Sequence, residues 1–69
     1  MVKTIGEEIK LKRFQNGLSQ IQLAALLGVT NKLLKAFERD TRTPNEHQLC
    51  KLADLLKLNL AFINRSRNS

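Results

Sequence analysis

Residues 17–30 of the chain have the sequence GLSQIQLAALLGVT, which contains one short helix and the start of another. Ser19 and Gln22 form a capping box, in which each side chain bonds the backbone N–H of the other residue, so a helix begins here. Gly28 ends this helix, because glycine adopts a positive φ without the steric cost of a Cβ atom. Thr30 is then the N-cap of the next helix. Two helices joined over so short a turn must cross steeply, which is typical of a helix-turn-helix.

Segments with helical spacing of apolar residues lie on both sides of this pair. A first helix is predicted over residues 5–16, and the helix after Thr30 extends to about Asp40. A fourth helix follows Pro44 and begins at a second capping box, formed by Asn45 and Gln48. The sequence therefore predicts an all-α fold, a compact domain of four to five helices.

The remaining chain is less regular. Residues 58–63 are compatible with a short fifth helix or with an extended strand that carries Leu58, Leu60 and Phe62 on one face; we favour the helix. We expect residues 1–63 to form one domain and residues 64–69 to form a polar tail.

The composition limits the classes of function. The 69 residues include 12 Lys and Arg against 6 Asp and Glu, a net charge of +6, which favours a polyanionic partner such as nucleic acid. The longest apolar run, Leu23 to Leu27, is too short to span a membrane. No secretion signal is visible, and the one cysteine suits a reducing compartment, so we expect a cytoplasmic protein.

Catalytic and metal-binding residue patterns are weak. His47 and Cys50 are spaced to share one face of the fourth helix, but a metal needs three or four ligands. As a nucleophile pair they lack an oxyanion hole and a third orienting group. We therefore expect no enzymatic activity, no metal and no cofactor.

The 17–30 stretch, together with FER at residues 37–39 and RTP at residues 42–44, resembles the Cro/repressor (XRE-like) helix-turn-helix family. The resemblance covers roughly residues 5–58. It implies a lambda-repressor-like domain, with the helix-turn-helix at helices 2 and 3, that binds operator DNA and usually does so as a dimer.

The third helix has the charge distribution expected of a recognition helix. A helical wheel turns Leu34 and Phe37 inward and places Lys32, Lys35, Ala36 and Arg39 on the opposite side. Taken alone, this pattern also fits a merely solvated face. In a helix-turn-helix, the N-terminal residues of this helix lie nearest the base edges. We therefore expect base contacts from Asn31, Lys32 and Lys35.

The resemblance also implies contacts with the DNA backbone and one internal ion pair. Helix N-termini attract oxyanions, and the family carries a phosphate-contacting Gln at the start of its second helix. The expected phosphate-contacting residues are Gln20, Thr30, Arg39, Thr41, Arg42 and Thr43. Arg13 and Glu38 match the positions of a partly buried, structural ion pair of the family.

Some positions depart from the family pattern. Apolar residues stand at several outward positions that are usually charged, so a second contact surface is expected. The residues of this candidate dimer or partner surface are Leu11, Phe14, Ile21, Leu55, Leu60 and Phe62. Asp40 replaces the usual glycine or asparagine after the third helix, and we expect its charge to weaken phosphate binding by the adjacent loop.

The sequence thus predicts a cytoplasmic, sequence-specific double-stranded DNA-binding transcription regulator. We expect a repressor that acts as a homodimer and inserts its third helix into the major groove. The alternative is a protein-interaction module that resembles HipB-like antitoxins, with a toxin as partner and an autoregulatory role for DNA binding. A basic RNA-binding module is disfavoured, because no aromatic residue lies among the outward cations to stack on unpaired bases.

Overall fold

A computed structural model describes residues 4–58, and four helices lie within that range. They are α1 (Ile5–Gln15), α2 (Gln20–Leu27), α3 (Asn31–Glu38) and α4 (Glu46–Leu56). The described residues include no β-strand, so the predicted all-α class is confirmed. The predictions for a fifth element, for Leu60 and Phe62 and for the tail at residues 64–69 concern residues outside the described range.

The ends of the helices are where the capping residues predict them. Ser19 and Gln22 form both bonds of the capping box of α2, and Asn45 and Gln48 do the same for α4. Gly28 ends α2 in the left-handed region, with φ +79°. The capping side chains accept backbone N–H groups that the start of a helix otherwise leaves without partners.

Helix α3 is two residues shorter than predicted. It ends at Glu38, with Arg39 as C-cap, whereas the sequence pattern extended it to about Asp40. Asp40 has φ +62°, a left-handed conformation that an α-helix cannot continue through. Its side chain then turns back toward the start of α1.

The core lies between α1, α2 and α3, with α4 packed against α1 and α2. Its fully buried large side chains are Phe37, Ile9, Leu23, Leu34, Leu52 and Leu56. Ala24, Leu27 and Leu58 complete the buried cluster. One prediction is corrected: Leu55 does not face away from the core but is half-buried and packs against it. None of the described helices is both long enough and apolar enough to cross a membrane.

Two polar contacts join α1 to the end of α3. The Arg13 side chain reaches Glu38, and the carboxylate of Asp40 lies at the N-terminus of α1. Gly6 makes this approach possible, because a Cβ atom there would lie 2.5 Å from the carbonyl oxygen of Phe37. The position of α3 is therefore fixed by α1 as well as by the turn from α2.

Candidate nucleic-acid interface

The turn between α2 and α3 fixes the direction of α3. The backbone N–H groups of Gly28 and Val29 both donate to the carbonyl of Ala24, at 2.9 and 3.0 Å. The Thr30 hydroxyl then accepts the N–H of Leu33 at 3.0 Å and caps α3. A threonine hydroxyl also has one proton to donate, so Thr30 remains able to bond a phosphate oxygen.

The outward face of α3 is cationic. Lys32, Lys35 and Arg39 are all exposed, while Leu34 and Phe37 on the opposite face are buried. The helical wheel predicted these positions, and the structure confirms them for the three cations, whereas Ala36, predicted on the same side, is half-buried. Two lysines on α3 and the arginine at its C-cap give this face a positive potential that attracts a polyanion.

An open concavity of about 420 Å³ lies on the same side of the molecule. It is lined by Thr30, Lys32, Leu33, Ala36 and Arg42. The fold therefore brings Arg42, from the loop after α3, together with residues from the N-terminal half of that helix. The concavity combines an apolar surface with two exposed cations.

The loop that follows α3 is anchored to it. The backbone N–H groups of Thr41 and Arg42 point to the carbonyl of Ala36, at 3.0 and 3.4 Å, and the Thr41 hydroxyl donates to the same oxygen at 3.2 Å. The Thr41 hydroxyl proton is thus engaged inside the protein, whereas Arg42 and Thr43 have exposed side chains. Of the three predicted phosphate-contacting residues, Thr41 is the least free to donate.

Gln20 has an internal partner that the sequence did not reveal. Its Nε2 donates to Oε1 of Glu38 at 3.0 Å, and the side chain is partly buried. The amide nitrogen carries a second proton. The predicted phosphate contact by Gln20 would have to use that second proton, and the bond to Glu38 restricts the orientation of the amide.

Glu38 is also the partner of Arg13. The Arg13 Nε lies 2.7 Å from Oε2 of Glu38, and its second guanidinium nitrogen donates to Oε1 at 3.2 Å. The side chains are only 7% and 4% exposed. The remaining terminal nitrogen of Arg13 donates to the carbonyl of Leu18 at 2.9 Å. This buried network links α1, the start of α2 and the end of α3.

Asn31, the first residue of α3, is half-buried. Its Oδ1 is shielded from solvent and has no hydrogen-bond partner among the described residues. A buried amide oxygen without a donor costs about 1–3 kcal/mol, so a rotation that brings this oxygen to a donor is favoured.

Several apolar side chains are exposed on α1 and α2. Leu11, Phe14 and Ile21 are 41%, 62% and 70% exposed, in agreement with their predicted outward positions. Leu26 is also exposed, at 49%. It was not identified from the sequence, but its position beside the buried stripe of α2 could have indicated its exposure.

In the described part of the chain, the candidate metal-binding or nucleophile pair on α4 is not joined by a third ligand. His47 and Cys50 are both exposed. Among residues 4–58, no three His, Cys, Asp or Glu side chains are grouped so that they could hold a metal ion.

Residues 9–63 match the helix-turn-helix family. The chain belongs to this family. A similar solved structure is that of SinR, the master regulator for biofilm formation, in complex with DNA; it is 32% identical, with a TM-score of 0.73 over 84% of this chain and 94% of that chain. No curated protein matches the sequence. The XRE-like resemblance and the lambda-repressor-like architecture are confirmed, and the family and fold are those of DNA-binding transcription regulators, which are generally not enzymes.

Proposed function

We propose that this helix-turn-helix protein is a cytoplasmic, sequence-specific repressor that binds double-stranded DNA with α3 in the major groove. The observation that carries the proposal is the exposed cationic face of α3, formed by Lys32, Lys35 and Arg39, on the second helix of the motif. Lysine and arginine on such a helix donate to the acceptors of guanine and to phosphate oxygens. The similarity to SinR, which was solved in complex with DNA, supports the same partner.

Each predicted residue has a role that suits its position. Asn31, Lys32 and Lys35 contact base edges, because they lie on the first turns of the recognition helix. The exposed charges of Arg39 and Arg42, with the hydroxyls of Thr30 and Thr43, contact phosphates. Gln20 contacts the DNA backbone through its second amide proton. Thr41 does so only when its hydroxyl releases the carbonyl of Ala36.

A binding assay with a matched control tests this assignment. Fluorescence anisotropy with a random-sequence duplex, followed by in vitro selection, measures general and specific affinity. We expect Lys35→Ala to weaken binding to the selected duplex, while Lys10→Ala, which removes an equal exposed charge from α1, has a smaller effect. Equal losses from the two variants, or no selectable sequence, would contradict insertion of α3 into the groove.

The proposed active species is a homodimer that occupies two half-sites about one helical turn apart, roughly 34 Å. The exposed apolar residues Leu11, Phe14 and Ile21 supply surface for such an interface. Bound across a promoter, the dimer represses by excluding polymerase. Sedimentation equilibrium at micromolar concentration measures the assembly, and a monomer that persists on the selected duplex would rule the dimer out. Repression is measured by placing that duplex in a reporter promoter.

A second candidate function is that of an antitoxin with autoregulatory DNA binding. Phe14 and Ile21 are 62% and 70% exposed, which favours burial of these two apolar side chains against another protein chain. A toxin partner predicts a complex of fixed stoichiometry that co-purifies with the chain and is lost in Ile21→Ser. Self-association that is lost in the same variant, with no second protein, supports the homodimer instead.

A further inference from the structure

Asp40 stands at a position where the end of a helix favours glycine. Helix α3 ends in a Schellman motif: the N–H of Asp40 donates to the carbonyl of Phe37 at 3.2 Å, and that of Thr41 donates to the carbonyl of Ala36 at 3.0 Å. This motif needs a left-handed residue after the C-cap, and Asp40 has φ +62°. Glycine adopts that conformation without the cost of a Cβ atom. The backbone alone therefore does not require an acidic side chain at this position.

The Asp40 side chain makes two bonds that a glycine could not make. One carboxylate oxygen accepts the N–H of Gly6 at 3.0 Å, and the other accepts the Thr4 hydroxyl at 2.6 Å. Thr4 is the N-cap of α1, and the dipole of a helix favours an anion at this end. These two bonds, the Asp40 tether, join the loop after α3 to the start of α1.

The tether holds one end of the segment that carries Arg42. The backbone N–H groups of Thr41 and Arg42 point to the Ala36 carbonyl, and Pro44 is buried on the other side of Arg42. The Arg42 side chain is exposed and lines the concavity beside Lys32. Because the backbone of this segment is ordered before DNA arrives, less conformational entropy is lost when Arg42 contacts a phosphate.

We propose that Asp40 is a positioning residue for DNA binding: its tether to α1 holds the loop so that Arg42 reaches a phosphate beside α3. The inference rests on the proposed function, since it requires Arg42 to contact the DNA. Charge alone predicts the opposite effect of Asp40, because a carboxylate near the DNA backbone repels the phosphates. The direction in which the affinity changes therefore distinguishes positioning from repulsion.

Two substitutions of Asp40 separate the tether from the charge. Asp40→Gly keeps the left-handed helix end but removes both the charge and the tether. Asp40→Asn also removes the charge, but its amide oxygen can accept the Gly6 N–H and its amide nitrogen can donate to the Thr4 hydroxyl oxygen. Both variants therefore have the same charge and differ in the tether.

Fluorescence anisotropy with an in vitro selected duplex measures the affinity of each variant. A titration at a duplex concentration far above Kd gives the active fraction, so that the affinity refers to folded protein. We expect Asp40→Gly to bind about three- to tenfold more weakly than the native chain, part of the contribution of one charge-assisted hydrogen bond. Asp40→Asn should stay within about twofold of the native affinity, since it retains the tether.

A double variant tests whether Asp40 acts through Arg42. In the Arg42→Ala background, Asp40→Gly should cause almost no further loss of affinity, whereas a general loss of structure would weaken both backgrounds alike. Asp40→Ala removes the tether without the flexibility of glycine and should weaken binding at least as much as Asp40→Gly. Asp54→Asn, the control for charge, removes an exposed carboxylate from α4 and should not weaken binding.

The outcomes separate this proposal from the proposed function. Tighter binding by both Asp40→Gly and Asp40→Asn would overturn the positioning role in favour of charge repulsion and leave the DNA-binding function in place. Native affinity in Asp40→Gly, or an equal loss in the Arg42→Ala background, would overturn the positioning role as well. Failure of the native chain to bind any duplex would overturn both proposals.

Discussion

The Asp40 carboxylate accepts the backbone N–H of Gly6 at 3.0 Å and so binds the loop after α3 to the first turn of α1. Its second oxygen accepts the Thr4 hydroxyl at 2.6 Å. An anion at a helix N-terminus is favoured by free N–H groups and by the helix dipole. The charge that the sequence led us to expect beside the DNA backbone is therefore directed at α1.

Removal of this carboxylate should destabilise the fold. We expect Asp40→Ala to lower the free energy of unfolding by about 1–3 kcal/mol, because it loses the bonds to Gly6 and Thr4 and keeps a Cβ atom at positive φ. Asp40→Asn should cost less, since asparagine tolerates that conformation and retains one acceptor. Urea denaturation measures both. An Asp40→Ala variant as stable as the native chain would show that these bonds contribute nothing.

The close approach at Gly6 gives a second prediction about stability. A Cβ at this residue would lie 2.5 Å and 2.7 Å from the carbonyl oxygens of Phe37 and Glu38, so Gly6→Ala forces two backbones apart. We expect a loss of about 3 kcal/mol or more, at the upper end of overpacking effects.

Gly17→Ala is the matched control for that variant. Gly17 has φ +68° and open space around it, so the substitution incurs only the left-handed penalty of about 1–2 kcal/mol. Thermal or urea unfolding compares the two chains. A larger loss at Gly17 than at Gly6 would mean that backbone conformation outweighs the contact with α3.

Local signals in the sequence were sufficient to predict where the helices begin and which face of α3 carries the charges. Capping side chains act within four residues, and the two boxes at Ser19 and Asn45 identify helix starts without any tertiary information. The positions of Lys32 and Lys35 follow from the helical period once Leu34 is known to point inward. These features could be predicted because each depends on neighbours in the chain.

Contacts between distant residues could not be found in this way. Asp40 and Gly6 are 34 positions apart, and Gln20 and Glu38 are 18 apart, so no periodic pattern relates them. Leu55 was misplaced for a related reason: the width of the buried face of α4 depends on what packs against it, and the period alone does not give that width.

The Arg13–Glu38 ion pair should contribute little net free energy to folding, although removal of one partner alone should be strongly destabilising. With side chains 7% and 4% exposed, either charge left alone is buried without compensation. We expect Arg13→Met or Glu38→Leu alone to lower the free energy of unfolding by about 3–5 kcal/mol. The double variant Arg13→Met with Glu38→Leu should recover much of this, although the Gln20 amide then loses its acceptor. Additive losses in urea denaturation would contradict this coupling.

Arg42 should affect the salt dependence of DNA binding more than its selectivity. A phosphate contact releases a counterion, so Arg42→Ala should weaken binding to all duplexes alike and reduce the slope of log affinity against log salt by about 1. Anisotropy titrations between about 50 and 200 mM salt measure the slope. Lys10→Ala, on α1, should leave it nearly unchanged. A loss confined to one sequence would instead make Arg42 a base-contacting residue.

Asn31 and Lys32 should affect the sequence selectivity of DNA binding more than its salt dependence. We expect Asn31 to pair with adenine through both ends of its amide after the amide rotates outward, which would give the shielded Oδ1 the donor that it lacks among the described residues. We expect Lys32 to donate to guanine. We expect Asn31→Ala and Lys32→Ala each to lose about 1–3 kcal/mol on the selected duplex and to relax specificity at one position. On random duplexes Asn31→Ala should lose almost nothing, because no charge is removed. Equal losses by Asn31→Ala on selected and random DNA would place this residue on the DNA backbone rather than on a base.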